Sequence, residues 1–486
     1  VLFQGILYCV VFLLCAGILA KVRSRRVRHA VLLLASYGLY LTWEPWFGAI
    51  LVTSTVLNFL LGQGLRRKPS GAILGLGIFV NLVLLGGFKY LPEVAVHFPV
   101  TSLQQFSHLA LPLGLSFWTF QAMSYLFDLY RGEDMDPTFF EFALYMAFFP
   151  VTISGPICRM PEMLPQFRSE KPTAVDDMRR GFARIATGVF MMQVAKLLGQ
   201  GIFGGDGITS GFDRLHQWSG ADVWCLALGY GLQLFFDFAG YSHIAIGAAQ
   251  AMGFTVPENF ARPFASTNAS VFWTRWHMSL SFWIRDYLFL PLATARREMW
   301  WRNLALVIAM VVFGLWHKAS VLFLLWGCYH GILLVLHRQV QQAQRRFDWD
   351  PPAKSWLPIS WIATMALINL GWIFFRASSL PQARQMIGAI VSPMNYNSHV
   401  LSASLYFLVA AVAIGYAIVL LIADVLTRYS NEVQTSEAKS NQSMFGFMAR
   451  WRWFWIPPLY ALALIFLLLV TLTQGASTAQ FMYNKF

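Results

Sequence analysis

The sequence predicts an all-α integral membrane protein, and three observations carry that fold class. Hydrophobic residues fill 57% of the 486 positions and charged residues only 12%, against roughly 25% charged in soluble domains. The 42 Phe, 17 Tyr and 19 Trp are more aromatic surface than a soluble core needs to bury. The apolar residues are also gathered into runs near the roughly 20 residues that a helix needs to cross a bilayer.

The expected spans are 5–20, 29–42, 46–63, 72–92, 108–129, 182–203, 222–250, 356–376, 403–424 and 453–473. Basic residues cluster between them: Lys21 to Arg28, Arg66 to Lys68, Arg159 to Arg184, Arg296 to Arg302, Arg338 to Arg346 and Arg428 to Arg452. That spacing matches cytoplasmic loops under the positive-inside rule, so the net charge of +13 does not point to nucleic acid. The first run has no basic residue before it and a strong cluster after it. This is the reverse of a secretory signal, so the first helix is expected to stay, with its N-terminus outside.

Segment 138–156 would carry the basic stretch after it outward if it crossed. It is therefore read as re-entrant, with its breaks at Pro150, Gly155 and Pro156 buried in protein. Loops 91–107, 204–220 and 377–402, and both termini, then fall outside. Segment 271–293 reads as a helix lying in the membrane plane or lining a polar cavity. Trp273, Trp276, Leu280, Trp283 and Tyr287 share one face, and Arg275, Ser279 and Asp286 the other. Segment 303–337, broken at Trp316-His317-Lys318, reads as a hairpin or kinked pair dipping into the core. The polar segments 157–181, 338–355 and 425–451 are too short for a soluble domain. Residues 1–486 are therefore expected to form one membrane domain that holds all the chemistry. Five cysteines without a C-x-x-C indicate buried small hydrophobes.

Ionisable residues inside membrane segments are costly and mark function. His317 lies in Phe313-Gly314-Leu315-Trp316-His317-Lys318-Ala319-Ser320, where Gly314 and Ala319 leave room for a backbone or an acyl chain. An imidazole can take a proton from an attacking hydroxyl near neutral pH; a packing histidine is the competing reading. His330 follows 13 positions later, roughly 20 Å and 220° away on a continuous helix. The two are not expected to touch one atom. Asp237 and Asp286 could orient a base or an acceptor, but for Asp286 an ion pair with Arg275 or Arg285 is the favoured reading. His277 reads as structural, Arg376 as an interfacial anchor and the tryptophan stripe as packing. No metal cluster, phosphate loop or Ser-His-Asp order is apparent.

An ordered set of motifs runs along the chain. It includes Phe88-Lys89-Tyr90, Leu111-Pro112-Leu113-Gly114, Phe148-Phe149-Pro150, Gly155-Pro156-Ile157 and Phe236-Asp237-Phe238. Pro257-Glu258-Asn259-Phe260, Trp273-Thr274-Arg275-Trp276-His277, Arg285-Asp286-Tyr287, Leu315-Trp316-His317, Trp326 to Gly331 and Gly371 to Arg376 follow. Together they resemble the membrane-bound O-acyltransferase family, within it most closely the bacterial alginate O-acetylase group.

The resemblance implies a ring of about 10–12 transmembrane helices, with re-entrant and in-plane helices around a central funnel and a catalytic core near 108–376. His317 matches the family's essential histidine, and His330 is kept with it as a candidate catalytic residue. Trp316, Arg275, Asp237, Asp286 and Lys318 are the substrate-binding candidates. The implied donor is an acyl thioester such as acetyl-CoA, with no permanently bound cofactor and no metal. Two positions depart from the pattern: Lys318 stands where glycine is usual, and His243 where aspartate is usual. The ending Phe481-Met482-Tyr483-Asn484-Lys485-Phe486 resembles a tail of bacterial surface acyl-transfer systems, which makes Tyr483 a candidate acyl relay.

The expectation is an O-acetyltransferase of the bacterial cytoplasmic (inner) membrane. It would serve an extracytoplasmic polysaccharide acceptor, such as alginate, with an extracytoplasmic or membrane-tethered partner enzyme. D-alanyl transfer to teichoic acid, acyl transfer to peptidoglycan, an inactive binding subunit and a transporter are its rivals. No repeated half, as transporters show, is visible.

Overall fold

Inside a bilayer every backbone N–H and C=O needs an internal partner, and helices supply one within each segment. The computed structural model describes residues 2–97, 106, 109–202, 205–213, 218–349 and 353–435, and these are predominantly helical. The expected span 453–473 and the tail with Tyr483 lie outside the described residues. The helices are α1 (Leu2–Leu19), α2 (Arg25–Leu41), α3 (Pro45–Arg67), α4 (Gly71–Lys89), α5 (Leu91–His97), α6 (Leu115–Tyr130) and α7 (Phe139–Ala147). Then come α8 (Met160–Phe167), α9 (Val175–Gln200), α10 (Ile208–Asp213), α11 (Gly220–Ala251), α12 (Ala269–Trp273), α13 (Met278–Ile284) and α14 (Leu290–Thr294). The last are α15 (Met299–His317), α16 (Val321–Arg346), α17 (Ala353–Arg376), α18 (Leu380–Val391) and α19 (Ala403–Thr435).

Among the described residues eight helices are long and apolar enough to cross a membrane: α3, α4, α9, α11, α15, α16, α17 and α19. The expected spans 5–20 and 29–42 correspond to α1 and α2, of 18 and 17 residues, and the helix expected over 108–129 begins only at Leu115, as the 16-residue α6. Residues 303–337 part at the expected break after His317 into two helices, α15 and α16, each long and apolar enough to cross a membrane. Residues 318–320 separate them, and the Ser320 hydroxyl caps α16 by accepting from the Phe323 N–H at 3.5 Å.

The chain divides into two compact units, the first comprising Val1–Gly188, Tyr241–Pro263 and Ser270–Phe313. In it α6 is almost wholly buried and packs on α3 and α4, while α2 packs on α3 and α7. Asn58 of α3 and Asn81 of α4 exchange side-chain hydrogen bonds of 2.7 and 3.3 Å, a polar clasp between two apolar helices. The nine-residue α7 is roughly 14 Å long, about half the hydrocarbon thickness. It stops at Phe148, and Pro150, Gly155 and Pro156 are buried, as a re-entrant segment requires. Gly114, at φ +69°, is the backbone-critical position here: a Cβ would stand 2.0 Å from the Thr152 carbonyl oxygen.

Segment 271–293 is also corrected, because it is not one helix. Phe260 and Trp276 form an isolated antiparallel bridge, with Ala261 N–H donating to the Arg275 carbonyl at 3.0 Å and Met278 N–H to the Asn259 carbonyl at 2.9 Å. That pairing pulls residues 274–277 out of helical geometry and leaves His277 at φ +45°. Arg285–Phe289 then form a π-helical turn. The tryptophan stripe is buried, and so is Ser279 on the face expected to be polar.

The second unit comprises Val189–Gly240, Phe264–Ala269 and Gly314–Phe486. In it α17 packs on α16 and α18. Asp222 pins this unit: it accepts from the N–H groups of Ser219 (2.9 Å), Val400 (3.1 Å) and Leu401 (3.2 Å), and from the Tyr406 hydroxyl at 2.6 Å. Cys15, Cys158 and Cys225 are buried as expected, whereas Cys9 is exposed.

Candidate functional site

His317 closes α15, at the point where the chain turns into α16. The side chain is buried and enclosed by aromatic rings: Trp316 at 4.6 Å between centroids, Phe375 at 5.1 Å, Trp326 at 5.9 Å and Phe323 at 6.1 Å. His330 lies on α16, one helical turn beyond Trp326, and is more deeply buried still. Its ring sits 4.9 Å from Trp326 and 5.3 Å from Tyr329.

One indole therefore touches both imidazoles. The expectation from a continuous helix, that the two histidines stand far apart, does not survive the break at 318–320. The turn brings α16 against the end of α15 at Gly314, where a Cβ would stand 2.3 Å from the Phe323 carbonyl oxygen and 3.3 Å from the Gly327 nitrogen. Gly371 of α17 plays the same part opposite His330, since a Cβ would come 2.5 Å from its Nε2.

Trp316 thus belongs to the histidine enclosure, whereas Lys318 is exposed beside it and Asp237 is half-buried on α11. The sequence reading assigned no role to Trp326, Phe375 and Gly371. The signal for Trp326 was its i, i+4 spacing to His330; nothing local announced Phe375, 58 positions from His317. Arg376 is not a simple anchor: it pairs with Asp213 at 3.3 Å and lies over the Phe212 ring.

A second polar cluster is internal to the first unit. Asp286 pairs with Arg285 at 2.6 Å and with Arg159 at 2.6 Å, and its backbone carbonyl accepts from Arg131 at 2.7 Å. The expected choice between Arg275 and Arg285 falls to Arg285, with Arg159 added from 127 residues away. Arg275 is half-buried on the turn before α13. Arg131 and Arg159 both lie over the Tyr287 ring at 5.1 Å, and the Tyr287 hydroxyl donates to Asp128 at 2.7 Å. Nearby, Asn259 accepts from Ser279 at 2.6 Å, donates to Ser242 at 3.1 Å and lies 3.4 Å from His277 Nδ1.

Burial works against the Asp286 charge, but the hydrogen bonds from Arg285 and Arg159 outweigh it and hold the carboxyl below its ordinary range. Because the folded pKa is the lower one, this cluster stabilises the protein fully above the ordinary carboxylate pKa and loses that contribution as pH falls through the folded value. Asp286→Asn is expected to cost roughly 1–3 kcal/mol near neutral pH, the scale of hydrogen bonds to charged groups. The difference should shrink in acid. A melting-temperature gap between variant and wild type that stays constant down to the acid limit would contradict this account.

Among the described residues no group of three or more His, Cys, Asp or Glu side chains could hold a metal ion. What the histidine enclosure can do is hold an imidazole away from bulk water, where it can take or return a proton at one approaching group.

Residues 95–380 match the MBOAT, membrane-bound O-acyltransferase family. A Pseudomonas putida protein named probable alginate O-acetylase is 34% identical over 390 residues, 76% of this chain and 76% of its own length. The peptidoglycan O-acetyltransferase of Helicobacter pylori is 32% identical over 397 residues, 74% of this chain and 73% of the relative. The teichoic acid D-alanyltransferase of Bacillus subtilis is 26% identical over 351 residues, 66% of this chain and 83% of the relative.

Proposed function

The chain belongs to the membrane-bound O-acyltransferase family, and as this multi-pass bacterial membrane O-acyltransferase we propose that it carries acetyl groups from cytoplasmic acetyl-CoA to an extracytoplasmic polysaccharide. His317 is the general base of that transfer. The observation that carries the reading is the burial of His317 at the end of a spanning helix, inside four aromatic side chains. There a proton can be taken from the attacking hydroxyl while water is kept from hydrolysing the thioester. His330, across Trp326 from His317, keeps the aromatic wall in place, and Lys318, Trp316, Asp237, Arg275 and Asp286 serve the substrates.

The direct test supplies isotopically labelled acetyl-CoA to one face of vesicles carrying the protein, and follows label into the surface glycan by mass analysis. Label on the glycan, lost without the protein, supports the reading. Transfer only from a D-alanyl thioester on a carrier protein would move the assignment toward the activity named for the Bacillus subtilis relative.

The same reading places both termini outside and segment 157–181 inside, supported by the distribution of Lys and Arg along the chain. A Ser169→Cys substitution, with the native cysteines replaced, is expected to react with an impermeant maleimide only from the cytoplasmic side. Labelling of intact cells from outside would overturn this orientation and the re-entrant reading of 138–156.

Tyr483 is the proposed relay. A phenol with its ordinary pKa near 10 is a weak nucleophile at neutral pH, so it needs a base to attack a thioester. The thiolate leaves, and the phenyl ester formed remains activated because phenolate departs more readily than a sugar alkoxide. A soluble or membrane-tethered partner enzyme outside can then pass the acetyl group to the polymer. Tyr483→Phe keeps the ring and removes only the hydroxyl, and is expected to stop polymer acetylation. Acetylation at the wild-type rate would make the tail an anchor.

A further inference from the structure

Asp286 holds more cations than one carboxylate needs. Its two oxygens take Arg285 Nε and Arg159 Nη2, each at 2.6 Å, and its backbone carbonyl takes Arg131 Nη2 at 2.7 Å. A second carboxylate, Asp128, is engaged by the Tyr287 hydroxyl at 2.7 Å. Three guanidinium charges therefore meet two carboxylates in direct contact, and Glu133 adds only a longer-range charge at Asp128. All of these residues belong to the first unit. Arg285, Asp286 and Tyr287 open the π-helical turn Arg285–Phe289, a departure from α geometry that recurs at functional sites.

The guanidinium groups are held in place with donors to spare. Arg131 and Arg159 each lie 5.1 Å over the Tyr287 ring, and Arg285 lies 4.7 Å over Phe282. A guanidinium presents its N–H donors in a rigid planar fork, and each of these groups spends an N–H on Asp286. Among the described residues no other acceptor takes a further one. The Arg159 and Arg285 side chains are 26% and 53% exposed, and Arg131 is exposed as well. The unspent edges are therefore open to an incoming ligand.

The ligand that fits carries negative charge on several oxygens. A carboxylate offers two oxygens in one plane and repeats what Asp286 already supplies. A phosphate ester offers its oxygens around a tetrahedral centre, where forks from different directions each find a partner. Arg159 also lies in segment 157–181, which the proposed topology places inside, on the donor's side. We propose that Arg131, Arg159 and Arg285 form a phosphoryl-binding site for the phosphate ester of the acyl thioester donor. That ester is common to CoA and to the phosphopantetheine arm of a carrier protein. The proposal thus rests on the acyltransferase reading, whichever of the two donors is used.

The test uses the full chain in phosphatidylcholine nanodiscs, with a fluorescent CoA displaced by phosphopantetheine or by pantetheine, which differ only in the phosphate. Phosphopantetheine is expected to displace the probe at a concentration roughly tenfold lower, the effect of one charge-assisted hydrogen bond. Arg131→Gln is the cleanest variant, because Arg131 meets only the Asp286 backbone and its loss leaves both carboxylate pairs in place. It should narrow that preference several-fold and leave displacement by pantetheine as it was. Equal displacement by the two in the wild type, or no binding of the probe, would overturn the site without reference to any variant. An equal weakening of both competitors in Arg131→Gln would make that residue structural and overturn its part in recognition. Phosphatidylglycerol nanodiscs in which the preference vanishes, with this lipid retained by the wild type and released by Arg131→Gln in native mass spectra, would assign the cluster to a lipid phosphate instead. A clear preference without transfer from labelled acetyl-CoA would keep the site and retire only the acetyl-CoA donor.

Discussion

Replacing His317 with alanine or glutamine is expected to abolish acyl transfer while the protein still accumulates in the membrane. The loss should reach at least the roughly 10²–10⁴-fold that a positioned general base supplies. Two variants are needed because His317 fills space: Phe375 and Trp326 both rest against its ring. Alanine leaves a void among them, whereas glutamine keeps most of the volume and removes the titrating group. If His317→Gln acetylates at the wild-type rate, the imidazole has no part in proton transfer. His330→Ala belongs in the same series. Its ring meets Trp326 and the Gly371 backbone, so its removal should slacken the enclosure and slow transfer less than loss of His317. An equal and complete loss would mean that the two histidines act as a unit, with Trp326 merely between them.

The second large effect is expected at Gly314. A Cβ there would stand 2.3 Å from the Phe323 carbonyl oxygen, a backbone atom that cannot swing away as a side chain can. Gly314→Val must therefore push α16 off α15. Overpacking of this kind costs roughly 1–3 kcal/mol, and the displacement reaches His317 three residues on. A misplacement of about 1 Å at a reacting group can cost roughly 10²-fold in rate. The expected result is a lowered melting temperature together with a near-complete loss of transfer. Gly388→Val is the control, because nothing lies within 4 Å of a Cβ at that position. Normal turnover and stability in Gly314→Val would show that the two helices do not need this close approach.

How much of this was legible beforehand depended on the range of the interaction involved. The membrane class, the position of most long helices and His317 as the leading candidate could be read from the chain. Hydropathy and charge act residue by residue on the partition between water and lipid, and a motif around His317 is a local string. The end of the helix in segment 138–156 was legible for the same reason: Pro150, Gly155 and Pro156 cluster where it stops. The single in-plane helix at 271–293 was not correct. Local periodicity cannot register that Phe260 would pair with Trp276 and turn His277 left-handed. The break after His317 was legible, but not that the flanking helices each extend to spanning length.

The sequence by itself determined that this protein lives in a bilayer, that it is helical, and that a histidine at the break within 303–337 is its leading candidate for a reactive group. Only the tertiary structure decided what surrounds that histidine. Phe375 reaches it from α17, Trp326 links it to His330, Gly314 sets the approach of the α16 backbone, and Gly371 leaves room for the His330 ring. It likewise gave Asp286 its arginine from residue 159. The physical reason is that partition into lipid is set by each segment's own composition, whereas ring contacts, ion pairs and close approaches are set by side-chain geometry between segments far apart in the chain, which no local pattern encodes.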